Sequence, residues 1–353
     1  MSSSVEKSSD TPSLLTGQNA VYAGIAWAVI SLIFFLLFSI NAPGQERPLW
    51  YMLGTYILET IPFAVATFLC YRNWRSPQIA SGRNVWLGIG LGMLCYCIAN
   101  VVFGIWELYF GLDPDVSPAD LFYLLVYVFV GWGMVLAVLP RRLNLEAWQW
   151  VTVGIIALVG IAFAVWVLLT APKASEQKAD VTNQFPTTEQ AASRAASLLV
   201  SDAKTAPAVP KNSSEVSLVM VKSQITTAAS DEKAQKQLPN WVQSIEDTLN
   251  PLATPVNFFY IVGDVFLLII ASALLLAFWG GRFAQSWRMI AAATFCLYIA
   301  DMCFKYADAN AIKYESGSLP DVFYVFSGVL FAIGAALEYD VSSRSRRGAR
   351  RRA

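Results

Sequence analysis

Eight stretches of this chain, each about twenty residues long and nearly free of charge, fix its class. They cover about 21–41, 49–71, 85–110, 118–139, 148–170, 255–279, 286–307 and 320–338. About 20 apolar residues in a helix cross the hydrocarbon core of a bilayer. In lipid the backbone must satisfy its own hydrogen bonds, which a helix does within one segment. The expectation is an all-α, polytopic integral membrane protein with eight transmembrane helices. Charged residues make up 14% of the chain, against about 25% in soluble proteins, and they cluster between the stretches. Residues 1–20 are polar, and the apolar run after them is too long for a signal-peptide core, so they read as a cytoplasmic tail.

The connecting loops orient the helices. Arg72, Arg75 and Arg83 follow helix 2, Arg141 and Arg142 follow helix 4, and Arg282 follows helix 6. A basic tail, 341–353, closes the sequence, whereas Asp113 and Asp115 follow helix 3. Short basic loops stay on the cytoplasmic side, so both termini are expected there and the polar segment 172–250 outside. That segment is rich in Ala, Ser, Thr, Lys and Gln, and its apolar content is too sparse for a core of its own. It reads as a mobile loop or a small docking element, with helical stretches at 189–200 and 241–249. The basic tail suits anionic lipid rather than nucleic acid. Trp50, Trp86, Trp148, Trp150, Trp279 and Trp287 read as membrane-interface anchors.

The chain also repeats itself. An offset of 201 positions lays Trp86 on Trp287, Cys95 on Cys296, and Ile98-Ala99-Asn100 on Ile299-Ala300-Asp301. Ser117 falls on Ser318, and Asp120-Leu121-Phe122-Tyr123 on Asp321-Val322-Phe323-Tyr324. Roughly a quarter of the positions from Trp86 to Leu136 are identical to their counterparts. Tyr56 to Glu59 echoes Tyr260 to Asp264 with one slip, and helices 1 and 5 each end in Ala-Pro. Repeats of this kind set an architecture. The expectation is two tandem four-helix halves, 21–145 and 146–340, the second carrying the insertion 172–250. With an even number of helices each, the halves enter the membrane the same way, as parallel repeats about an axis along its normal.

Ionisable residues inside spanning helices cost free energy unless paired or hydrated, so each is a functional candidate. Glu59, Asn100, Asp264, Asp301 and Lys305 are candidates for binding a ligand or ion. Glu107, Asp120, Asp308 and Asp321 are candidates for a cavity mouth. At 1.5 Å per residue, Asn100 lies about 20 Å from the inner face and Glu59 about 15 Å below the outer one. The repeat-related polar positions thus share the outer half of the bilayer, where a cavity would open between the halves. Structural readings stand beside this. Ser117-Pro118-Ala119-Asp120 reads as a helix cap with an acid at its third position, and Ser318 to Asp321 is similar. Asp301, Lys305 and Asp308 share one helix face and could neutralise one another, while Glu107 and Asp308 lie near water. Glu59 and Asp264 lack a partner on their own helices.

Enzyme signatures are missing. The chain has no His, the usual general base, and no phosphate loop, nucleophile elbow or zinc pattern. Cys95 and Cys97 point to different sides of one helix, so neither a disulfide framework nor a metal site is expected. No catalytic residue, cofactor or metal is assigned.

These same motifs resemble the multi-helix membrane sensor regions that precede GGDEF, EAL and histidine-kinase domains in many bacterial proteins. The likeness rests on Trp86, Ala99-Asn100 and Ser117-Pro118-Ala119-Asp120-Leu121-Phe122-Tyr123-Leu124, on the second copy at Trp287, Ala300-Asp301 and Ser318 to Val325, and on Tyr260-Ile261-Val262-Gly263-Asp264. It covers helices 2–4 and 6–8. The resemblance implies a sensor input in a bacterial cytoplasmic membrane. Here only a short, Arg-rich tail follows helix 8, so the expectation is a separate signalling or assembly partner. A small-solute or cation transporter and a purely structural membrane protein are the alternatives.

Overall fold

The structure, a computed structural model, describes residues 17–40, 47–112, 116–139, 146–184, 238–278, 284–309 and 316–350. Its α-helices are α1 (Gly17–Phe38), α2 (Leu49–Arg75), α3 (Arg83–Gly104), α4 (Ala119–Val138), α5 (Ala147–Gln184), α6 (Asn240–Leu249), α7 (Ala253–Ala277), α8 (Ala284–Ala309) and α9 (Val322–Arg350). Among the described residues eight helices are long and apolar enough to cross a membrane, α6 and α7 counting as one. Among the described residues the regular structure is all helical, and the chain is built as a multi-pass membrane protein.

Two expected ends move. The sequence reading stops helix 5 at Ala171-Pro172, yet α5 continues to Gln184. A proline removes one hydrogen bond and bends a helix more readily than it halts one, and α2 likewise contains Pro62. The basic tail was expected to begin at 341, but α9 runs to Arg350, and cations suit the C-terminal end of a helix dipole. Contacts divide the chain between Ala171 and Pro172 and again between Ile245 and Glu246. The helix expected over 241–249 is there as α6, and the stretch 189–200 lies outside the described residues.

Six helices close a ring. α2 packs on α3, α3 on α4, α4 on α7, α7 on α8, α8 on α9, and α9 returns to α2. α1 lies outside on α9, with the Trp27 indole donating to Leu58 O of α2 at 3.0 Å. α5 lies outside α7 and α8, where Ala164 meets Ile261 and Met302. On α1, Ile25, Val29, Ile33 and Leu36 stay exposed, an apolar face suited to lipid.

Half of the ring is filled by buried side chains, with Phe63, Met93, Met134, Leu267, Ile290 and Phe331 each supplied by a different helix. The α3–α4 contact is the closest. A Cβ on Gly88 would stand 2.8 Å from Gly133 Cα, and small residues are what let membrane helices approach to this distance. Trp86 and Trp287 do not anchor at the interface as expected. Both are fully buried with ring centroids 6.2 Å apart, and Trp287 stacks on Phe278 at 5.0 Å. Their positions face the ring interior, where the Trp86 indole finds its acceptor in Ser81 Oγ at 2.8 Å. Trp50, Trp148 and Trp150 are exposed, and Trp279 lies outside the described residues.

Candidate functional site

The other half of the ring holds a cavity of about 180 Å³. It lies where α3 and α8 end and α2, α4, α7 and α9 begin. Its carboxylates come from four helices or their leading turns: Glu59 of α2, Asp120 of α4, Asp301 of α8 and Asp321 just before α9. Asn100 of α3 and the Lys305 side chain of α8 join them. Sequence reasoning named all six. It did not name the wall between them, which is phenolic: Tyr56, Tyr96, Tyr123, Tyr127, Tyr260 and Tyr324.

Tyrosine hydroxyls meet the acids. Tyr96 donates to Glu59 Oε1 and Tyr260 to Asp120 Oδ1 at 2.6 Å. Tyr324 donates to Asp301 Oδ1 at 2.7 Å, and Tyr123, 201 positions earlier, donates to Asn100 Oδ1 at 2.6 Å. Glu59 therefore finds across the helix interface the partner that its own helix lacks.

Tyr127 joins two acids. Its hydroxyl lies 2.9 Å from Asp264 Oδ1 and 2.9 Å from Asp301 Oδ2. Asp264 is 2% exposed, and its other oxygen has no hydrogen-bond partner among the described residues. A phenol has one proton to give, so a second hydrogen bond at Tyr127 needs a proton on a carboxyl. Asp264 thus stands behind the wall rather than on it.

The remaining candidates separate. Asp120 caps α4 as expected: its Oδ2 accepts from Ser117 N at 2.7 Å, while Ser117 Oγ accepts from Ala119 N at 3.2 Å. Its Oδ1 faces Tyr260, so one carboxylate both caps a helix and lines the cavity. Asp321 accepts from Gly317 N at 2.7 Å, one residue out of step with its counterpart. Glu107 sits on a π-helical turn, Ile105–Tyr109, that prolongs α3, and it accepts from Tyr56. π turns widen a helix and recur at functional sites. Lys305 donates to Asn257 of α7, and its ammonium lies 4.8 Å from the centre of the Tyr260 ring. The Asp308 side chain lies outside the described residues.

The rim is held by α2 and the residues just before it. Arg47 donates to Ser316 O, and to Ser318 Oγ at 3.3 Å, while Tyr51 donates to Gly317 O at 2.6 Å. Gly317 has φ +86°, a conformation that glycine adopts without the Cβ penalty.

No protein-family model, curated protein or solved structure matches the chain.

Proposed function

We propose that this chain is a non-enzymatic, sensor-like module of a bacterial cytoplasmic membrane. It takes a small ligand or cation in the cavity and passes a change of shape to a separate partner. The observation that carries this reading is the convergence of Glu59, Asn100, Asp120, Asp301, Lys305 and Asp321 on one cavity inside a helix ring. Ionisable groups at such depth are expensive and mark a site by default.

In this reading the ring consists of two tandem halves. Three contacts of the first match three of the second under the offset: α2–α3 with α7–α8, α3–α4 with α8–α9, and α4–α7 with α9–α2. The cavity opens outward, and Arg72, Arg75 and Arg83 lie at the opposite, cytoplasmic end. There α9 is latched to the last turn of α2 and to the turn between α2 and α3. Ser81 Oγ donates to Glu338 Oε1 at 2.7 Å, and Asn73 Nδ2 to Ala335 O at 2.8 Å. The α9 helix and the turn leading into it join Asp321 and Tyr324 at the cavity to Glu338 at the latch, so a shift at one end reaches the other.

Hydrogen exchange of the full chain in lipid nanodiscs, wild type against Asp301→Asn, tests this. Protection should change at residues 76–82 and near Glu338 as well as around the cavity. A change confined to the cavity would sink the signalling part. Transport is the competing reading, and the filled half of the ring weighs against it. Solute uptake into proteoliposomes that disappears in Asp264→Asn would establish it instead.

A further inference from the structure

We propose that the cavity is a site for a small organic ammonium ion of about six to nine heavy atoms. This rests on the reading of the cavity as a ligand site and names the chemical class that fits it.

Charge comes first. Four acidic side chains and one ammonium line the cavity. Arg47 lies behind the rim, turned to Ser316 O and Ser318 Oγ. A cation is therefore the complementary guest, and an anion would meet four acids.

The wall chemistry decides which cation. A compact metal ion needs several oxygens drawn together around one point, six to eight for calcium. Among the described residues no group of three or more acidic or thiol side chains is disposed to hold a metal ion. The acids are instead spread around the wall, where Tyr96, Tyr260 and Tyr324 engage Glu59, Asp120 and Asp301. Dispersed carboxylates alternating with aromatic faces suit a cation whose charge is carried on carbon-bound nitrogen, because ring faces attract ammonium groups at up to about 6 Å. The protein displays this contact itself. The Lys305 ammonium lies 4.8 Å from the Tyr260 ring centre and 5.1 Å from that of Phe304. A free organic ammonium would meet the same chemistry on the rest of the wall.

Volume sets the size. A cavity of about 150 Å³ holds one benzene, so the 180 Å³ here admits a slightly larger molecule. Free amino acids fit the class poorly, since each brings a carboxylate to a wall already rich in them.

The test is equilibrium binding to the purified full chain in nanodiscs. The probes are choline, phenethylamine and 1,4-diaminobutane. Their controls are the uncharged isosteres 3,3-dimethylbutan-1-ol and 2-phenylethanol, the anion phenylacetate, and sodium, potassium and calcium chlorides. At least one amine should bind, and its neutral isostere should bind at least tenfold more weakly. Asp301→Asn should weaken the amine about tenfold or more. Lys305→Gln should tighten it several-fold, because a competing ammonium leaves the wall. That gain separates loss of a binding group from misfolding. Tighter binding of an alcohol or of phenylacetate, lost in Asp301→Asn, would overturn the ammonium assignment and leave the ligand site standing. Binding of an inorganic cation alone would also overturn the assignment. No binding by any probe, with the variants folded as wild type, would bring down both.

Discussion

Replacing Tyr127 by Phe deletes one oxygen and keeps a ring that lies against Gly263, where a Cβ would stand 2.6 Å from Tyr127 Cδ1. That oxygen is 2.9 Å from each of Asp264 and Asp301. Hydrogen bonds to charged groups contribute about 1.5–3 kcal/mol in soluble proteins. Between membrane helices the average is about 0.6 and the maximum about 1.7 kcal/mol, because helices separated in the membrane find other partners. Two contacts on the membrane scale give about 1–3 kcal/mol. Asp264 is 2% exposed and its Oδ2 has no hydrogen-bond partner among the described residues, which places the expected loss near 2 kcal/mol, toward the upper part of that range. Reversible unfolding in mixed detergent micelles measures it. Tyr298→Phe is the matched control, since that hydroxyl reaches Gly160 O only at 3.4 Å, and it should cost under about 0.5 kcal/mol. A double-mutant cycle between Tyr127→Phe and Asp264→Asn should return a coupling of about 1 kcal/mol. A Tyr127→Phe loss no larger than that of Tyr298→Phe, with no coupling, would refute the argument that this hydroxyl holds the two acids together.

Other changes have worked signs. Gly88→Ala forces α3 and α4 apart where backbone meets backbone; the steric cost of about 1–3 kcal/mol exceeds the helix-propensity gain of about 1 kcal/mol, so the same unfolding assay should register a net loss. Gly154→Ala should do the opposite, because a Cβ there meets nothing within 4 Å, and a gain of roughly 0.5–1 kcal/mol is expected. Gly317→Ala places a Cβ 2.8 Å from Tyr51 Cε1 at φ +86°; hydrogen exchange should rise over residues 316–318, and an unchanged rim would contradict the strain argument. Ser81→Ala removes the acceptor of the Trp86 indole and the hydroxyl donor to Glu338, and should cost about 1–2 kcal/mol with faster exchange at residues 76–82.

The spans were legible in the sequence because length and apolarity alone define them. The acids were legible because charge inside an apolar helix is conspicuous. The ring was not: which helices meet depends on small residues such as Gly88 and Gly133, whose contact leaves no periodic mark. The fates of the aromatic residues were hidden as well. Trp86 and Trp50 look alike as residues near helix starts, yet one faces the ring and the other stays exposed. The tyrosine wall left a signal that could have been used. Tyr260 precedes Asp264 by four residues and Tyr56 precedes Glu59 by three, so each pair shares a helix face. Tyr324 pairs with Asp301, and Tyr123 with Asn100, each across a spacing of 23 residues. A Tyr that stands twice at the same distance from a polar residue marks a contact that spacing along one helix cannot reveal.

The filled half of the ring has a kinetic consequence. Tyr96, Val126, Tyr127 and Leu297 belong both to the cavity lining and to the buried cluster beneath it, so among the described residues the cavity ends blindly on that side. If the cavity takes a ligand as proposed, the turn held by Arg47 and Tyr51 is the side, among the described residues, by which it would come and go. On that reading one guest would have to leave before another entered, and exchange between two guests would follow the departure rate of the first whatever the concentration of the second. A stiffer turn would slow arrival and departure by the same factor, changing how long the protein remembers an encounter without changing how tightly it binds.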